Sequence, residues 1–355
     1  MKTLILVLLL LYAVGRAIRF YRGAQTLHDE VHYARTDDGA LLAMYRYLPA
    51  HPDPARLPVI LCHGYTETRF GFDLAGRSMP RYLADRGHEA WVVELRGQGD
   101  SRRAAGGAPF SWDFTFDDHA RRDLPAAIEL VLAKTGAPRV HWIGHSMGGM
   151  VAYAYLAWKG EEPRLARVAT LGSPGTFGGF RDPLIWIVEI ERFLRWRPIL
   201  PTGFLLTLGL PLAALRLLRL KFIANPANLR GRMYVTFLAN ALADVGMRVS
   251  SQFAHFLRTA SFTALSDGFD YEANYGRITT PMLLISGGRD TLVRTFRVRR
   301  VFDAIASPEK RYVRMGTRDG FAIDYGHGDL TVGDHAPREV WPLVADWLEA
   351  GEGRG

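Results

Sequence analysis

The chain has 355 residues, of which 48% are apolar and 23% charged, a composition that requires a sizeable buried core and excludes an intrinsically disordered protein. Its formal charge of +8 comes mostly from arginine, but no Lys/Arg block is interleaved with glycine and aromatics and no zinc-finger spacing occurs. Nucleic acid is therefore not an expected partner, an anionic membrane surface fits the charge better, and the single cysteine, Cys62, leaves no intrachain disulfide and no multi-cysteine metal site.

At the N-terminus, Lys2 precedes the uncharged stretch Thr3 to Gly15, and Arg16, Arg19 and Arg22 follow. The stretch is shorter than the roughly 20 apolar residues of a comfortable spanning helix. Residues 1–29 are expected to be a hydrophobic signal or membrane anchor. Export after cleavage at a poor small-residue site and retention near lipid headgroups stand side by side, with a buried helix as the plainer third reading.

Two alternating runs, Val31 to Thr36 and Leu41 to Leu48, flank Asp37-Asp38-Gly39 and predict a β-hairpin. After a Pro-rich link, a buried-strand run from Pro58 to Cys62 leads into His63-Gly64-Tyr65. Strands and helices then alternate: a helix over Asp73 to Arg86, a strand over Ala90 to Leu95, a helix over Asp117 to Lys134, a strand over Arg139 to Ile143, a helix over Met147 to Trp158 and a strand over Leu165 to Leu171. Such alternation implies a mostly parallel sheet covered on both faces. It stops for about a hundred residues and resumes with strands at Pro281 to Ser286 and Tyr312 to Met315, closing with a helix over Val340 to Leu348. The chain thus divides into a first core part (30–178), a helical lid or cap (179–278) and a second core part (279–355), with the lid inserted between two strands of the sheet.

Gly144-His145-Ser146-Met147-Gly148 matches Gly-x-Ser-x-Gly where a β run gives way to a helical run, the strand–turn–helix context of a nucleophile elbow. The alternative is a glycine-rich turn with an inert serine. A serine hydroxyl becomes a nucleophile only when a base removes its proton and a carboxylate orients that base. Among eleven histidines, His327 lies in a loop after the last predicted strand and before the last helix, with His335 as its nearest competitor; His63 and His145 belong to other loops and turns. Asp290 follows the apolar run and two glycines of PMLLISGGRDTLV, and a solvated loop aspartate is its plainer reading. The order Ser146, Asp290, His327 is that of an α/β-hydrolase triad. Oxyanion donors are expected from the backbone amides of Met147, at a helix start, and Tyr65, in the loop after the Pro58 to Cys62 strand.

These features resemble the α/β-hydrolase superfamily over residues 30–178 and 279–350, and FSWDFTFDDHARRDLPAAIELVLAKTG and GHGDLTVGDHAPREVWPLVADWL resemble the corresponding stretches of the acid lipases, the gastric and lysosomal type. The resemblance implies a serine carboxylester hydrolase with Ser146, Asp290 and His327 as triad and Met147 and Tyr65 as oxyanion donors. Met147 stands where those lipases usually carry glutamine, and the inserted segment shows little similarity.

Within that segment apolar residues dominate, with Arg192, Arg195 and Arg197 among them, and three prolines and two glycines over Pro198 to Leu215 argue against a spanning helix. Leu184, Trp186, Phe204 and Leu212 are the expected walls of an apolar acyl pocket with a basic, membrane-facing rim; a cap packed only on the core is the alternative. The expected function is hydrolysis of an ester with a sizeable apolar part through an acyl-enzyme, without metal or organic cofactor. Acyl transfer from the same intermediate, or lipid binding without catalysis on this fold, are the alternatives. A serine at the nucleophile position speaks against haloalkane dehalogenase and epoxide hydrolase chemistry, which use aspartate.

Overall fold

The computed structural model describes residues 2–23, 27–74, 76–178 and 185–352. Eight strands carry the fold: β1 (Glu30–Arg35), β2 (Ala40–Tyr47), β3 (Val59–Cys62), β4 (Ala90–Val93), β5 (Val140–His145), β6 (Leu165–Leu171), β7 (Met282–Gly287) and β8 (Lys310–Met315). They lie in the order β1-β2-β4-β3-β5-β6-β7-β8. β1 and β2 form the hairpin and pair antiparallel, as do β2 and β4, and all later neighbours are parallel. The chain therefore has the α/β-hydrolase fold.

Period-two alternation along the parallel strands supplies both cores. Ile60, Cys62, Trp91, Val93, Trp142 and Leu284 face one layer, while Val59, Leu61, Val92, Ile143, Leu171 and Ile285 face the other. The first layer is covered by α3 (Leu124–Thr135), α4 (Met147–Lys159) and α9 (Thr295–Ala304), the second by α2 (Met79–Asp85) and α10 (Ala336–Glu349). Between β6 and β7 the chain forms α5 (Ile185–Leu194), α6 (Thr202–Ala214), α7 (Gly231–Asn240) and α8 (Met247–Thr259).

Several boundaries depart from the sequence expectation. The helix expected from Asp73 begins only at Met79, because Asp73–Leu74 and Arg77–Ser78 pair as a short antiparallel ribbon and the Ser78 hydroxyl caps the helix by accepting from Arg81 N. The helix expected over Asp117 to Lys134 is present, running from Phe116 to Thr135, but it is not regular: a wider π turn over His119–Asp123 interrupts it. Pro125, next in line, has no N–H to close a regular turn, and Asp123 is held sideways by Arg96 Nε at 2.6 Å and His119 Nδ1 at 2.8 Å. Helix α9 was not expected: its arginines mask the periodicity, although a parallel β7–β8 crossover needs a covering element.

The N-terminal segment is also longer than expected. A single helix, α1 (Lys2–Tyr21), runs through Arg16 and Arg19 and is long and apolar enough to cross a membrane. Arg19 does not end it because the guanidinium is fully engaged by the inserted helices: Nε donates to Thr207 Oγ1 at 2.8 Å, Nη1 to Ala239 O at 2.7 Å and Nη2 to Gly203 O at 3.1 Å. Tyr12 packs against Phe204, and Gly15 lies so close to the Thr207 carbonyl that any Cβ would overlap it. The residues from Leu4 to Leu10 are 42% to 66% exposed, so these two turns of the helix lie largely uncovered by the described residues.

Gly148, at the start of α4, packs against the Cys62 carbonyl of β3, and a Cβ there would overlap it. Gly148→Ala should therefore force strand and helix apart and destabilise the fold by about 1–3 kcal/mol, the usual cost of overpacking. Denaturant unfolding with unchanged slope checks this; an unchanged midpoint would contradict the packing.

Candidate active site

Ser146 occupies the turn between β5 and α4 with φ 50° and ψ −116°, a positive φ that a serine adopts only under constraint from its surroundings. The constraint is the close packing of Gly144 and Gly148 around the turn. Ser146 is half-buried, and as the first residue of α4 Met147 has an N–H with no acceptor inside the helix.

His327 and Asp290 meet from two loops, after β8 and β7 respectively. His327 Nδ1 lies 2.7 Å from Asp290 Oδ2. The other carboxylate oxygen, Oδ1, accepts from Leu292 N at 2.9 Å and Val293 N at 2.7 Å, which fixes the carboxylate plane and leaves Oδ2 for the imidazole. Burial alone would lower the His327 pKa, but the charge and hydrogen bond of Asp290, helped by Glu67 and Asp329, outweigh it and hold the imidazole above its ordinary value of 6.5.

Ser146 and His327 line one cavity of about 330 Å³, together with Tyr65. Tyr65 is held through its ring, 4.8 Å from that of Phe253, and its hydroxyl, which donates to Ser250 Oγ at 2.8 Å. Apart from Glu67 and a few hydroxyls the cavity wall is apolar, including Leu200, Leu206, Leu218, Phe222, Phe253 and Val293.

The sequence reading did not anticipate three supports of this site. Glu67 is buried and accepts from Gly64 N at 2.7 Å, while His145 Nδ1 lies 2.8 Å away from the same oxygen. His145 Nε2 in turn meets the His327 carbonyl oxygen at 3.3 Å, so this histidine ties the Ser146 turn to the His327 loop. Burial would raise the Glu67 pKa, but His145 and His327 nearby hold it below the usual carboxylate value. Asp329 accepts from Asn225 N, Asn228 Nδ2 and Gly326 N at 2.9, 2.8 and 3.0 Å, joining the His327 loop to the inserted segment. No sequence signal marks Glu67, because the loop brings it under Ser146 only after folding. His63 receives the Leu95 N–H at Nε2 and so donates from Nδ1 to Gly64 O, bracing the Tyr65 loop. His335 sits at the start of α10, outside the cavity lining, with its backbone N–H on Asn228 Oδ1.

The expected pocket walls fare differently. Leu184 and the Trp186 side chain lie outside the described residues. Phe204 and Leu212 do not line the cavity: Phe204 turns to Tyr12 of α1 and Leu212 is exposed. Helix α6 is apolar all round, so its sequence has no polar stripe from which its inward face, Leu205, Leu206 and Gly209, could be told.

A half-buried serine at a strand–helix turn, lining one apolar cavity with a carboxylate-paired histidine, belongs to the hydrolase class of doubly covered α/β sheets. The chain belongs to the alpha/beta hydrolase fold family, whose model matches residues 58–324. It is similar to the probable lipase C16A3.12c of Schizosaccharomyces pombe, at 23% identity over 90% of this chain and 77% of that one. It is also similar to mouse (Mus musculus) gastric triacylglycerol lipase, at 31% identity over 45% of this chain and 43% of that one. Among solved structures, a soluble variant of the monoglyceride lipase of Saccharomyces cerevisiae superposes with a TM-score of 0.64 at 16% identity, covering 93% of this chain and 97% of that one. The protein is an esterase/lipase-like α/β hydrolase.

The buried carboxylates around His327 make its titration measurable without turnover. By NMR, the imidazole should titrate above 6.5, and Glu67→Gln should bring it down by removing one of the charges that raise it. A His327 titration unmoved by Glu67→Gln would contradict the coupling.

Proposed function

We propose that the protein hydrolyses carboxylic esters with a long apolar acyl part through a Ser146 acyl-enzyme. The observation that carries this reading is the 2.7 Å Asp290–His327 bond at the wall of the apolar cavity that also holds Ser146. Ser146 Oγ attacks the ester carbonyl as His327 Nε2 takes its proton, and Asp290 keeps Nδ1 protonated and stabilises the imidazolium. The Met147 and Tyr65 N–H groups donate to the oxyanion. Collapse of the tetrahedral intermediate expels the alcohol with a proton from His327, and water releases the acid by the same steps in reverse order.

Helices α5–α8 serve as the lid over this cavity, and their apolar inward residues take the acyl chain. Helix α1 is the membrane anchor. Its attachment to the lid through Arg19 and Gly15 favours a segment kept in the working protein over a cleaved leader. Substrate would then come from the bilayer surface.

Ser146→Ala should abolish ester turnover while the unfolding midpoint stays within a few degrees of wild type; retained turnover would overturn the assignment. Asp290→Asn should lower kcat by about 10⁴-fold, the usual cost of the wrong imidazole tautomer. Because only the neutral imidazole accepts a proton and its pKa is raised, kcat/KM for a soluble ester should fall as pH drops through a value above 6.5. Each added acyl methylene should raise kcat/KM by up to about fourfold, the value of about 0.8 kcal/mol of burial, until the cavity is filled. A maximum at acetate would contradict the apolar pocket.

A further inference from the structure

A second cavity, of about 520 Å³, lies between α1 and the inserted helices and is separate from the site around Ser146, sharing with it only Leu218 as a wall. Five arginines line it: Arg22 from the end of α1, Arg216 and Arg219 after α6, and Arg230 and Arg232 at the start of α7. Among the described residues no acidic one lines it. Arg230 has a carboxylate within ion-pair distance, that of Asp334 at 3.4 Å, whereas among the described residues Arg22, Arg216, Arg219 and Arg232 have none.

The surrounding sequence offers no internal counter-charge. From position 192 to position 243 the chain carries Arg192, Arg195, Arg197, Arg216, Arg219, Lys221, Arg230 and Arg232 and not one Asp or Glu, and α1 likewise has only Lys2, Arg16 and Arg19. Arg216, Arg219, Arg230 and Arg232 are exposed and Arg22 is half-buried, so this rim of like charges is open to an anion, which it attracts. Planar guanidinium forks match phosphate oxygens in pairs.

The position of the cavity selects the source of the phosphate. The apolar run of α1 ends at Gly15, and Arg22 follows about 10 Å farther along the helix axis at 1.5 Å per residue. With the exposed Leu4 to Leu10 face in hydrocarbon, the arginines stand at headgroup depth. The rest of the lining, including Ile18, Ala213, Leu218 and Val235, is apolar and suits the glycerol and upper acyl part of the same molecule.

We propose that this arginine-lined cavity binds the phosphate of an anionic phospholipid headgroup, docking the anchor–lid unit on one membrane lipid. The proposal rests on reading α1 as a membrane anchor and is independent of the chemistry at Ser146.

The test uses full-length protein in nonionic detergent, in a Ser146→Ala background so that no lipid is consumed. The protein is titrated with dihexanoyl phosphatidylglycerol, dihexanoyl phosphatidylcholine and glycerol 3-phosphate. We expect saturable binding of the phosphatidylglycerol, at least tenfold tighter than of the other two, and a loss of at least tenfold in R219Q/R232Q. The control R192Q/R195Q removes the same charge elsewhere on the insertion and should change affinity less than threefold; unfolding midpoints verify that both variants fold. Equal losses in the two double variants would mean a diffuse basic rim and overturn the site. Glycerol 3-phosphate binding as tightly as the lipid would make it a site for a soluble phosphate and overturn the lipid source. Flotation of wild type with neutral phosphatidylcholine vesicles reads the anchor by itself, so its failure is distinguishable from failure of the headgroup site.

Discussion

A serine held at φ 50° persists only where the backbones on either side come closer than a side chain would allow. That closeness is built by Gly144 against the start of α4 and by Gly148 against the end of β3. Strands β3 and β5 are parallel neighbours, so the loop carrying Tyr65 and the turn carrying Ser146 emerge side by side from the same sheet edge. The remaining loops of the site leave the carboxyl ends of β7 and β8, which continue the same parallel set. Sheet geometry thus gathers at one edge residues that are far apart in sequence, and the elbow raises the serine above it.

Electrostatics around the site depend on one buried imidazole shared among several carboxylates. His327 is buried, which disfavours its charged form, but Asp290 in contact and Glu67 and Asp329 nearby reverse the balance. Glu67 also carries hydrogen bonds to the Tyr65 loop and to His145, which itself meets the His327 carbonyl, so a buried carboxylate and one histidine link the Tyr65 loop, the Ser146 turn and the His327 loop. Such a buried carboxylate is costly to leave unpaired, and here it is met by two nitrogen atoms, Gly64 N of its own loop and His145 Nδ1 at the end of β5. The site is thus tied together by hydrogen bonds on the sheet side, while its opposite wall is formed by the inserted helices.

The elbow, the hairpin and the parallel strands were legible because each rests on a local pattern: glycine spacing, two-residue alternation, and short β-branched runs ended by glycine. Asp290 and His327 were legible from their places after predicted strands. Glu67, His145 and Asp329 act through contacts made only by the folded chain and left no mark. The inward face of α6 was not legible because a helix apolar on every side has no phase, and Phe204 and Leu212 were assigned to the wrong face for that reason. The length of α1 was underestimated because Arg16 and Arg19 read as the end of an apolar run, whereas Arg19 finds three oxygen acceptors on the inserted helices.

The Ser146 cavity, the inserted helices and α1 are joined by these polar contacts: Asp329 fastens the His327 loop to the insertion, and Arg19 fastens the insertion to α1. Everything proposed for the chemistry turns on one oxygen atom, Ser146 Oγ. Mass spectrometry of the full-length wild-type protein after exposure to a fluorophosphonate locates the reactive side chain directly. A single stoichiometric adduct on the peptide containing Ser146 is the expected result; an unmodified Ser146 in protein that still hydrolyses esters would contradict it.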